Sequence, residues 1–441
     1  MATRTFKYRI YPTAEQAEKL SRFFGCARKI YNLSLAWWRD AYMVYKETGE
    51  PMGKTPDYGY YRRMPEYSYL SECDTVALQQ ARIHFEKAIM AYIEAKGGKR
   101  KGKVGFPKFK KKGVSKDSYT TYNNGTAVHI TSDGKHITLP KIGKVKIVLH
   151  RPFCGKVKTV NVSRTKSGRY FVSITVETRE KEGPVISRVA NADNPKVVGL
   201  DMSMSSFAVS SDTSDAAKPK YVRLFRKNQR RLARLSRRVS RKQMVEADGH
   251  KRGSRNREKA RRRYARACER VADQRRDFVA KAALHFARRY DVVVLEEINL
   301  QAMSQSLKLG KSVMDLGFGE FRRWLEWEGS KYDCYIHYAD RWFASSQTCS
   351  ECGHVYKGTK NLNVREWVCP VCGAVHDRDV NAATNLKNSF LEEYSTAGTA
   401  GIHACGDSAS TLRETVARVL AMKQEPRDCR GSSEARDFSR G

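Results

Sequence analysis

The sequence predicts a multidomain protein with an α+β first part and an α/β second part. Residues 117–178 contain short alternating strands broken by Asn, Asp and Gly, as in a small antiparallel β-barrel. Further along, two apolar strands that each run into an acidic residue are separated by a long helical stretch, as in an α/β sheet. Two CxxC pairs between residues 349 and 372 indicate a zinc ribbon. A length of 441 residues allows two or three hydrophobic cores.

The net charge indicates the class of partner. The chain has 83 Lys and Arg residues against 47 Asp and Glu, a formal charge of +36 and a pI of about 9.9. This excess predicts a polyanionic partner rather than a small acidic substrate. The sequence contains no run of about 18 apolar residues and does not begin with a signal-peptide core, so we expect a cytoplasmic protein. Eleven cysteines, an odd number, fit reduced thiols better than a disulfide framework.

The N-terminal region is predicted to be a strand followed by helices. Residues 4–11 alternate apolar and basic side chains, as a strand with one buried face does. Thr13 and Gln16 then form the capping-box pattern that opens a helix.

A further helical stretch, residues 70–95, carries two candidate DNA contacts. Gln79 and Gln80 lie off its apolar face, where a solvated glutamine is an ordinary surface residue. Glutamine can also make bidentate hydrogen bonds to adenine, so both remain candidates. The apolar face itself is formed by Ala77, Ala81, Phe85 and Ile89.

The segment 96–112 has the composition of a nucleic-acid groove. It contains nine basic residues, with Phe106 and Phe109 between them. Such a run could be a solubilising loop, but cations that bind phosphates and rings that stack on exposed bases together favour nucleic acid. The candidate contacts here and in the following barrel are Lys108, Lys110 and Asn123.

Residues 221–280 are predicted to be two long basic helices joined by a hairpin at 243–256. They hold 22 Lys and Arg residues against six acids, and their apolar stripe is narrow. Solvated helices would fit this pattern. An excess of sixteen positive charges repels itself, however, unless phosphates lie against it, which favours contact with RNA or a heteroduplex through Arg230 and Arg231.

Four cysteines are spaced as the ligands of one structural zinc ion. Cys349 and Cys352 are followed, after sixteen intervening residues, by Cys369 and Cys372. Two such knuckles present four thiolates to a tetrahedral Zn²⁺, and a glycine after each lets backbone amides point at the sulfur atoms. The alternative is free thiols or a redox CxxC. Four cysteine ligands leave no open position for substrate, so the zinc is expected to stabilise the ribbon.

Acidic residues follow two apolar strands and begin a later helix. One strand leads into Asp201, and a second leads into Glu296 and Glu297. Asp377 and Asp379 precede an apolar helix start, where an acid such as Asp379 is a common cap. Any one such acid is more often a solvated residue at the end of a strand. Three carboxylates at one sheet edge can instead bind two divalent ions about 3.5–4 Å apart for phosphodiester hydrolysis.

Two connecting segments complete the α/β part. A short strand at 207–209 is predicted to return alongside the strand that ends at Asp201. Residues 303–315, with Lys308 and Lys311, are expected to form a loop after Glu296.

Seven motifs are distributed over nearly the whole chain: FKYRIYPTAEQ, GFPKFKKKG, VVGLDMSMSSFAV, VVVLEEINL, GFGEFRRWLEW, SSQTCSECG and DRDVNAATN. They resemble those of the TnpB family, transposon-encoded RNA-guided relatives of the compact type V CRISPR nucleases. The resemblance implies a RuvC-like nuclease domain with an RNase H fold, whose acid triad falls on Asp201, Glu296 and Asp379. Many relatives have a glycine shortly after the first acid, where this chain has Ser203.

The resemblance also implies a domain order. A wedge-like β-barrel would surround a helical recognition insertion, and a linker would lead to the nuclease domain with its ribbon. The expected bounds are 1–12 and 97–182 for the wedge, 13–96 for the recognition domain, 183–196 for the linker, 197–343 and 375–395 for the nuclease domain, 344–374 for the target nucleic-acid-binding zinc ribbon, and 396–441 for a disordered tail.

The function implied by the resemblance is RNA-guided DNA cleavage. A guide RNA would pair with one strand of double-stranded DNA beside a short flanking motif, and the triad would cut with two Mg²⁺ ions. Arg378, inside the DRD motif, is a further candidate nucleic-acid contact. The expected location is a prokaryotic cytoplasm, at the nucleoid, without membrane contact. Two alternatives stay open: a guided repressor that binds without cutting, and a strand-transfer transposase.

Overall fold

The computed structural model describes residues 2–100, 102–122, 127–178, 195–204, 206–214, 223–242, 244–247, 250–300, 303, 305, 310–340, 342–361 and 363–399. These residues form two compact units, one ending at residue 178 and one starting at residue 195. Nearly all of the expected linker and most of the expected tail lie outside the described residues. Within the described ranges, no helix has both the length and the apolar character needed to cross a bilayer.

The first unit is built on a curled antiparallel sheet. Its strands are β1 (Ala2–Tyr11), β2 (Asp117–Tyr122), β3 (His129–Ile130), β4 (His136–Leu139), β5 (Gly143–Val148), β6 (Lys156–Arg164) and β7 (Tyr170–Thr178). They follow the order β2-β6-β7-β1-β5-β4-β3. The N-terminal strand therefore lies inside the sheet, paired with β7 along most of its length and with β5 at its end. Its alternation explains this position, because Tyr8 and Ile10 are fully buried.

Helices α1 (Ala14–Thr48), α2 (Tyr58–Arg63) and α3 (Thr75–Lys96) accompany this sheet, with a 3₁₀ turn at Pro65–Glu72. The capping box is confirmed, since Thr13 and Gln16 each accept a hydrogen bond from the other's backbone amide. Leu20 and Phe24 of α1 share the core of the sheet. The predicted apolar face of α3 is also confirmed, and its Phe85 ring meets Tyr31 edge-on with centroids 5.8 Å apart.

The second unit contains a four-stranded sheet of β8 (Val197–Asp201), β9 (Val209–Ser210), β12 (Val292–Glu296) and β13 (Tyr335–Ala339), with β10 (Met244–Ala247) and β11 (His250–Gly253) forming a separate hairpin. The order is β13-β12-β8-β9, with β8, β12 and β13 parallel and β9 antiparallel. Parallel strands need helical cover on both faces, which explains why β12 is apolar at four successive buried positions.

Helices cover both faces of this sheet. They are α4 (Leu224–Ser240), α5 (Arg255–Arg289), α6 (Gly310–Leu316), α7 (Phe318–Tyr332) and α8 (Arg378–Thr399). Helices α5 and α7 bury Phe286, Phe321 and Leu325 on one face, while α8 buries Leu386 and Phe390 on the other. The ribbon precedes α8 and contains a 3₁₀ turn at Lys357–Lys360 and strands β14 (Glu366–Val368) and β15 (Val375–Asp377).

Gly199 sets the distance between β8 and α8. A Cβ atom at this position would lie 1.9 Å from the Ala383 carbonyl oxygen and 2.8 Å from the Lys387 amide nitrogen. Only glycine permits so close an approach of helix and strand backbones. The first turn of α8 is thereby held next to the strand that ends in Asp201.

Two predicted connections differ from the structure. The return strand begins at Val209 because Phe207 has a φ of 76°, which is left-handed and not extended. Residues 310–316, expected in a loop, form α6, so Lys311 lies on a helix, whereas Lys308 falls outside the described residues.

Candidate metal centres and nucleic-acid surfaces

Three elements bring the predicted acids to one edge of the second sheet. Asp201 and Glu296 are the last residues of β8 and β12, and the parallel register of Leu200 with Leu295 makes the two acids neighbours. Asp379 lies in the first turn of α8, which packs against β8. The carboxyl ends of adjacent parallel strands thus meet a helix N-terminus.

The electrostatics of Asp201 reflect the other two acids. Burial, together with the charges of Asp379 and Glu296, raises the pKa of Asp201 to about 7, while Arg378 opposes the rise. Burial also raises the pKa of Glu296, against the influence of Arg322. A site of hard oxygen ligands in which negative charge is this costly suits a divalent cation such as Mg²⁺.

Glu296 and Glu297 have different environments in the structure. Glu296 is half-buried at the strand end, whereas Glu297 is exposed. Arg322 of α7 donates hydrogen bonds to the Glu296 carbonyl oxygen at 2.6 Å and to the Ile298 carbonyl oxygen at 3.3 Å. These contacts hold the backbone as it leaves β12. Arg322 belongs to the GFGEFRRWLEW motif, but its contact with Glu296 spans 26 residues and no local pattern predicts it.

Asp377, rather than Asp379, caps α8. The Asp377 carboxylate accepts a hydrogen bond from the Val380 amide at 2.8 Å. The Asp379 carboxylate instead accepts one from the Ser203 hydroxyl at 3.1 Å and pairs with Arg365 at 3.3 Å. The capping interpretation of Asp379 is therefore wrong, because its neighbour fills that role. Ser203, singled out only as a departure from relatives, is buried and bridges two of the acid-bearing segments.

The four predicted zinc ligands form one cluster. Their sulfur atoms all lie within 4.8 Å of one another, and the pairs Cys349–Cys372 and Cys352–Cys369 are each 3.6 Å apart. A zinc–sulfur bond of about 2.3 Å in a tetrahedron requires sulfur separations of about 3.8 Å, so the residues fit this ion.

Both knuckles have the same turn, as their glycines predict. Gly353 and Gly373 have φ values of 74° and 73°, and their amides donate to the carbonyl oxygens of Cys349 and Cys369. The Cys372 amide hydrogen-bonds the Cys369 thiol and lowers its pKa. This hydrogen bond favours the thiolate form of Cys369, the form that binds metal, whereas burial and the neighbouring thiols raise the pKa values of Cys352 and Cys372.

His376 was missed by the sequence analysis. Its Nε2 atom lies 3.0 Å from the Cys349 sulfur atom, and its buried ring packs on Trp367 with centroids 4.8 Å apart. Trp367 stacks in turn on Tyr356. A neutral histidine that donates to a zinc-binding thiolate orients the ligand without binding the ion. Its place on β15, directly before Asp377, is the signal that could have identified it.

The start of α8 also holds the first knuckle. Asn381 accepts a hydrogen bond from the Ser350 amide at 3.0 Å and donates one to the Thr348 carbonyl oxygen at 2.7 Å. Asn385 donates to the Thr348 and Ser345 carbonyl oxygens at 2.6 and 2.8 Å. These amides account for both asparagines of the DRDVNAATN motif, and they join the ribbon to the helix that carries Asp379.

The candidate nucleic-acid contacts of the first unit have different environments. Gln80 is buried and donates to the Tyr122 hydroxyl at 2.9 Å, which gives it a structural role, whereas Gln79 is half-buried.

Lys110 lies 3.6 Å from the Tyr31 ring centroid, and burial lowers its pKa. Lys108 is exposed, and Asn123 falls outside the described residues. Lys108 and Gln79 thus keep the accessibility that such a contact needs.

The arginines of α4 form an open basic groove. Arg230 and Arg231 are exposed and belong to the seven arginines that line a cavity of about 940 Å³. Arg378 lies elsewhere, close enough to Asp201 to oppose the rise of its pKa. Arg378 therefore lies near the acids, whereas Arg230 and Arg231 have the exposure that a phosphate contact needs. The other arginines that line the groove are Arg226, Arg234, Arg237, Arg238 and Arg241.

Comparison with known proteins places this architecture in a family. A Cas12f1-like TNB domain model matches residues 318–386, the OrfB family described as "Probable transposase" matches 173–307, and a related "Helix-turn-helix domain" matches 1–47. A Streptomyces pristinaespiralis protein named "Putative RNA-guided DNA endonuclease" is 35% identical over 439 residues, covering 96% of both chains. The chain belongs to the TnpB family. Residues 1–47, despite their label, form β1 and most of α1.

Other similar proteins extend this comparison. The TnpB-like protein InsQ of Escherichia coli (strain K12), also named as an RNA-guided DNA endonuclease, is 28% identical, with 96% of each chain covered. A solved complex of Cas12f1 with sgRNA and target DNA has 13% identity and a TM-score of 0.46, covering 88% of this chain and 99% of that one. The mixed fold class is confirmed: an antiparallel β-sheet with helices, then an α/β domain that carries a four-cysteine ribbon. The wedge and recognition roles of the first part stay predictions.

Proposed function

We propose that this TnpB-family protein is an RNA-guided DNA endonuclease. The proposal depends above all on one observation: β8, β12 and α8 carry Asp201, Glu296 and Asp379 to one sheet edge, where burial and the charges of the other two acids raise the pKa of Asp201 to about 7. Two relatives matched over 96% of their length carry the name of this activity. The charge of +36 supplies the attraction for nucleic acid.

Two Mg²⁺ ions are the cofactors we propose for the acid site. When bound, they would activate a water molecule and stabilise the leaving oxygen of a phosphodiester. The protein holds the acids in place by two means. The register of β8 with β12 places Asp201 beside Glu296, and the Ser203 hydroxyl orients Asp379 through a hydrogen bond. Arg365 adds an exposed guanidinium, 3.3 Å from Asp379, that can bind a phosphate.

One Zn²⁺ is the ion we propose for the four cysteines, with a structural role. The thiolates select zinc and the carboxylates select magnesium, because soft and hard ligands prefer different ions. His376 would hold the orientation of Cys349, and the proposed zinc would hold the start of β15.

The partners we propose are a guide RNA and double-stranded DNA with a short flanking motif. The groove on α4 suits the phosphates of the RNA or its heteroduplex, as does Lys108 on the first unit. Gln79 is our candidate for reading a base of the flanking motif. Such a protein would act in a prokaryotic cytoplasm, at the DNA. The domain bounds predicted from the sequence remain part of this proposal.

The test is cleavage by the purified complex. The protein is expressed with its native flanking DNA, the RNA that co-purifies is sequenced, and the complex is incubated in Mg²⁺ with a plasmid library that carries the matched target and randomised flanks. Asp201→Ala runs in parallel. We expect cleavage that needs both the RNA match and one flanking motif, and that Asp201→Ala abolishes.

Two other results would overturn the proposal. RNA-dependent DNA binding without cleavage by the wild type would establish a guided repressor. Purification without any discrete RNA, together with joining of DNA ends, would establish a strand-transfer enzyme.

A further inference from the structure

Helix α1 continues well beyond the core of the first unit. Its last buried residue is Leu35, yet the helix ends at Thr48, where Gly49 closes it with a φ of 75° and its backbone amide donates a hydrogen bond to the Tyr45 carbonyl oxygen. The extension has large apolar side chains on its surface, with Tyr42 37% and Tyr45 46% exposed. An exposed apolar surface on a well-formed helix marks a place where a partner binds.

The rings of this extension form a continuous series. Trp38 and Tyr42 stack with centroids 5.1 Å apart and planes 9° apart, and Tyr45 follows at 6.3 Å from Tyr42. On the other side, Phe106 lies 5.7 Å from Trp38 and 5.2 Å from Tyr92. We call these five residues the aromatic ladder. Three segments, α1, α3 and the basic loop before β2, contribute to it.

Cations lie near the ladder. Lys46 lies 6.0 Å from the Tyr42 centroid, and Arg39 lies 5.7 Å from that of Phe109, which is outside the ladder but on the same loop as Phe106. Phe106 itself belongs to the segment 96–112, which has nine basic residues. Exposed rings beside cations are the arrangement that binds unpaired nucleotides, because bases stack on the rings while phosphates meet the charges. A second copy of this chain would instead bring a like charge of +36.

We propose that the aromatic ladder binds an unpaired stretch of RNA, with bases stacking on Tyr42 and Tyr45. This inference rests on the proposed function, which requires a bound guide RNA with unpaired nucleotides. RNA is the occupant we choose because single-stranded RNA is read mainly by stacking on aromatic rings, and because tyrosine hydroxyls can bond its 2′-hydroxyls. The rigid helix end keeps the rings in place before RNA binds, so little ordering entropy opposes stacking.

The test measures RNA affinity in the full chain carrying Asp201→Ala, so that cleavage plays no part. The probe is a fluorescein-labelled 20-nucleotide unstructured RNA, with DNA of the same sequence beside it. Replacing Tyr42 and Tyr45 together by Ala should weaken RNA binding at least five-fold, since a base stack contributes about 1–3 kcal/mol. The slope of affinity against salt should not change, because no phosphate contact is lost. The double Phe variant should retain most of the affinity.

The matched control replaces Tyr60 and Tyr69, which are 47% and 43% exposed on the same unit, by Ala. It should bind RNA as the parent does. Unchanged RNA affinity in the Tyr42 and Tyr45 variant would overturn the inference, as would a loss confined to DNA or a change only in self-association measured by sedimentation. Cleavage by the wild type is measured separately, so a protein that binds RNA through the ladder but never cuts would refute only the proposed function.

Discussion

The cysteine cluster and the acid cluster are assembled in different ways. The four cysteines come from 24 consecutive residues, and two identical turns suffice to bring their sulfur atoms within 4.8 Å of one another. The three acids span residues 201 to 379 and meet only because two parallel strands share a register and α8 packs on Gly199. A metal site built from turns depends on local sequence, whereas one built from a sheet edge depends on the whole fold.

The two clusters nevertheless share α8. Its first turn presents Asp379 to the acids, while Asn381 and Asn385 bind the segment that enters the first knuckle. The cysteine cluster is therefore independent of the acids in its assembly, but the acids depend on the helix to which the ribbon is attached. The following predictions test this asymmetry.

Removing an acid should have the largest effect on catalysis. We expect Glu296→Gln to lower DNA cleavage by about 10³-fold or more, because a ligand of the proposed ions is lost, while guided DNA binding continues. Glu297→Gln is the matched control, since Glu297 is adjacent in sequence and exposed. Single-turnover cleavage and a gel-shift assay measure both effects. Equal losses of cleavage in the two variants would contradict the assignment of Glu296, rather than Glu297, as a ligand of the proposed ions.

Removing a cysteine should affect both clusters. Cys372→Ser should lose bound zinc, lower the melting temperature and reduce cleavage by about 10- to 100-fold, because a released ribbon no longer holds β15 and the start of α8. Zinc content, thermal unfolding and cleavage rate are the measurements. The exposed Cys154, on the first unit, provides Cys154→Ser as the control. A zinc-free variant with full activity would show that the acids do not depend on the ribbon.

Ser203 tests the acid cluster by itself. Ser203→Ala removes the 3.1 Å hydrogen bond to Asp379, a bond to a charged group worth about 1–2 kcal/mol, so cleavage should fall about ten-fold. Zinc content should stay at the wild-type level. The rate should recover partly at higher Mg²⁺, which a loss of folding would not produce. Ser203→Thr keeps the hydroxyl and should retain more activity than the alanine variant.

The last prediction concerns stability without Mg²⁺. The pKa of Asp201 is raised to about 7 from an ordinary value of 3.8, so between these pH values the folded protein holds a proton that the unfolded chain has lost. The free energy of unfolding should therefore fall as the pH rises from 4 to 7. Melting curves at pH 5 and pH 8, without Mg²⁺ or chelator, would measure this fall, and Mg²⁺ should reverse it at pH 8. In Asp201→Asn the free energy of unfolding should fall less over the same pH range. A fall equal to that of the wild type would show that Asp201 is not the group responsible.

The same contrast explains what the sequence could predict. Cysteine spacing identified the zinc ligands, because the knuckle turn is encoded within a few residues. Apolar strands ending in acids identified Asp201 and Glu296, but only a resemblance chose Glu296 over Glu297. The contacts of Ser203 and Arg365 with Asp379 are between side chains far apart in sequence, and no periodicity reports them. The sequence could not show that Asp377 rather than Asp379 caps the helix, since both acids precede its first apolar residues.

The asparagine contacts of α8 determine how this protein can be recombined with its relatives. Because Asn381 and Asn385 bind the backbone at Thr348, the ribbon and the start of α8 form one structural unit, which should be exchanged as a whole. A chimera whose crossover points lie before Ser345 and after Asn385 would carry a matched pair. A crossover between Cys372 and Asn381 would instead take residues 345–350 and the asparagines that bind them from two different proteins.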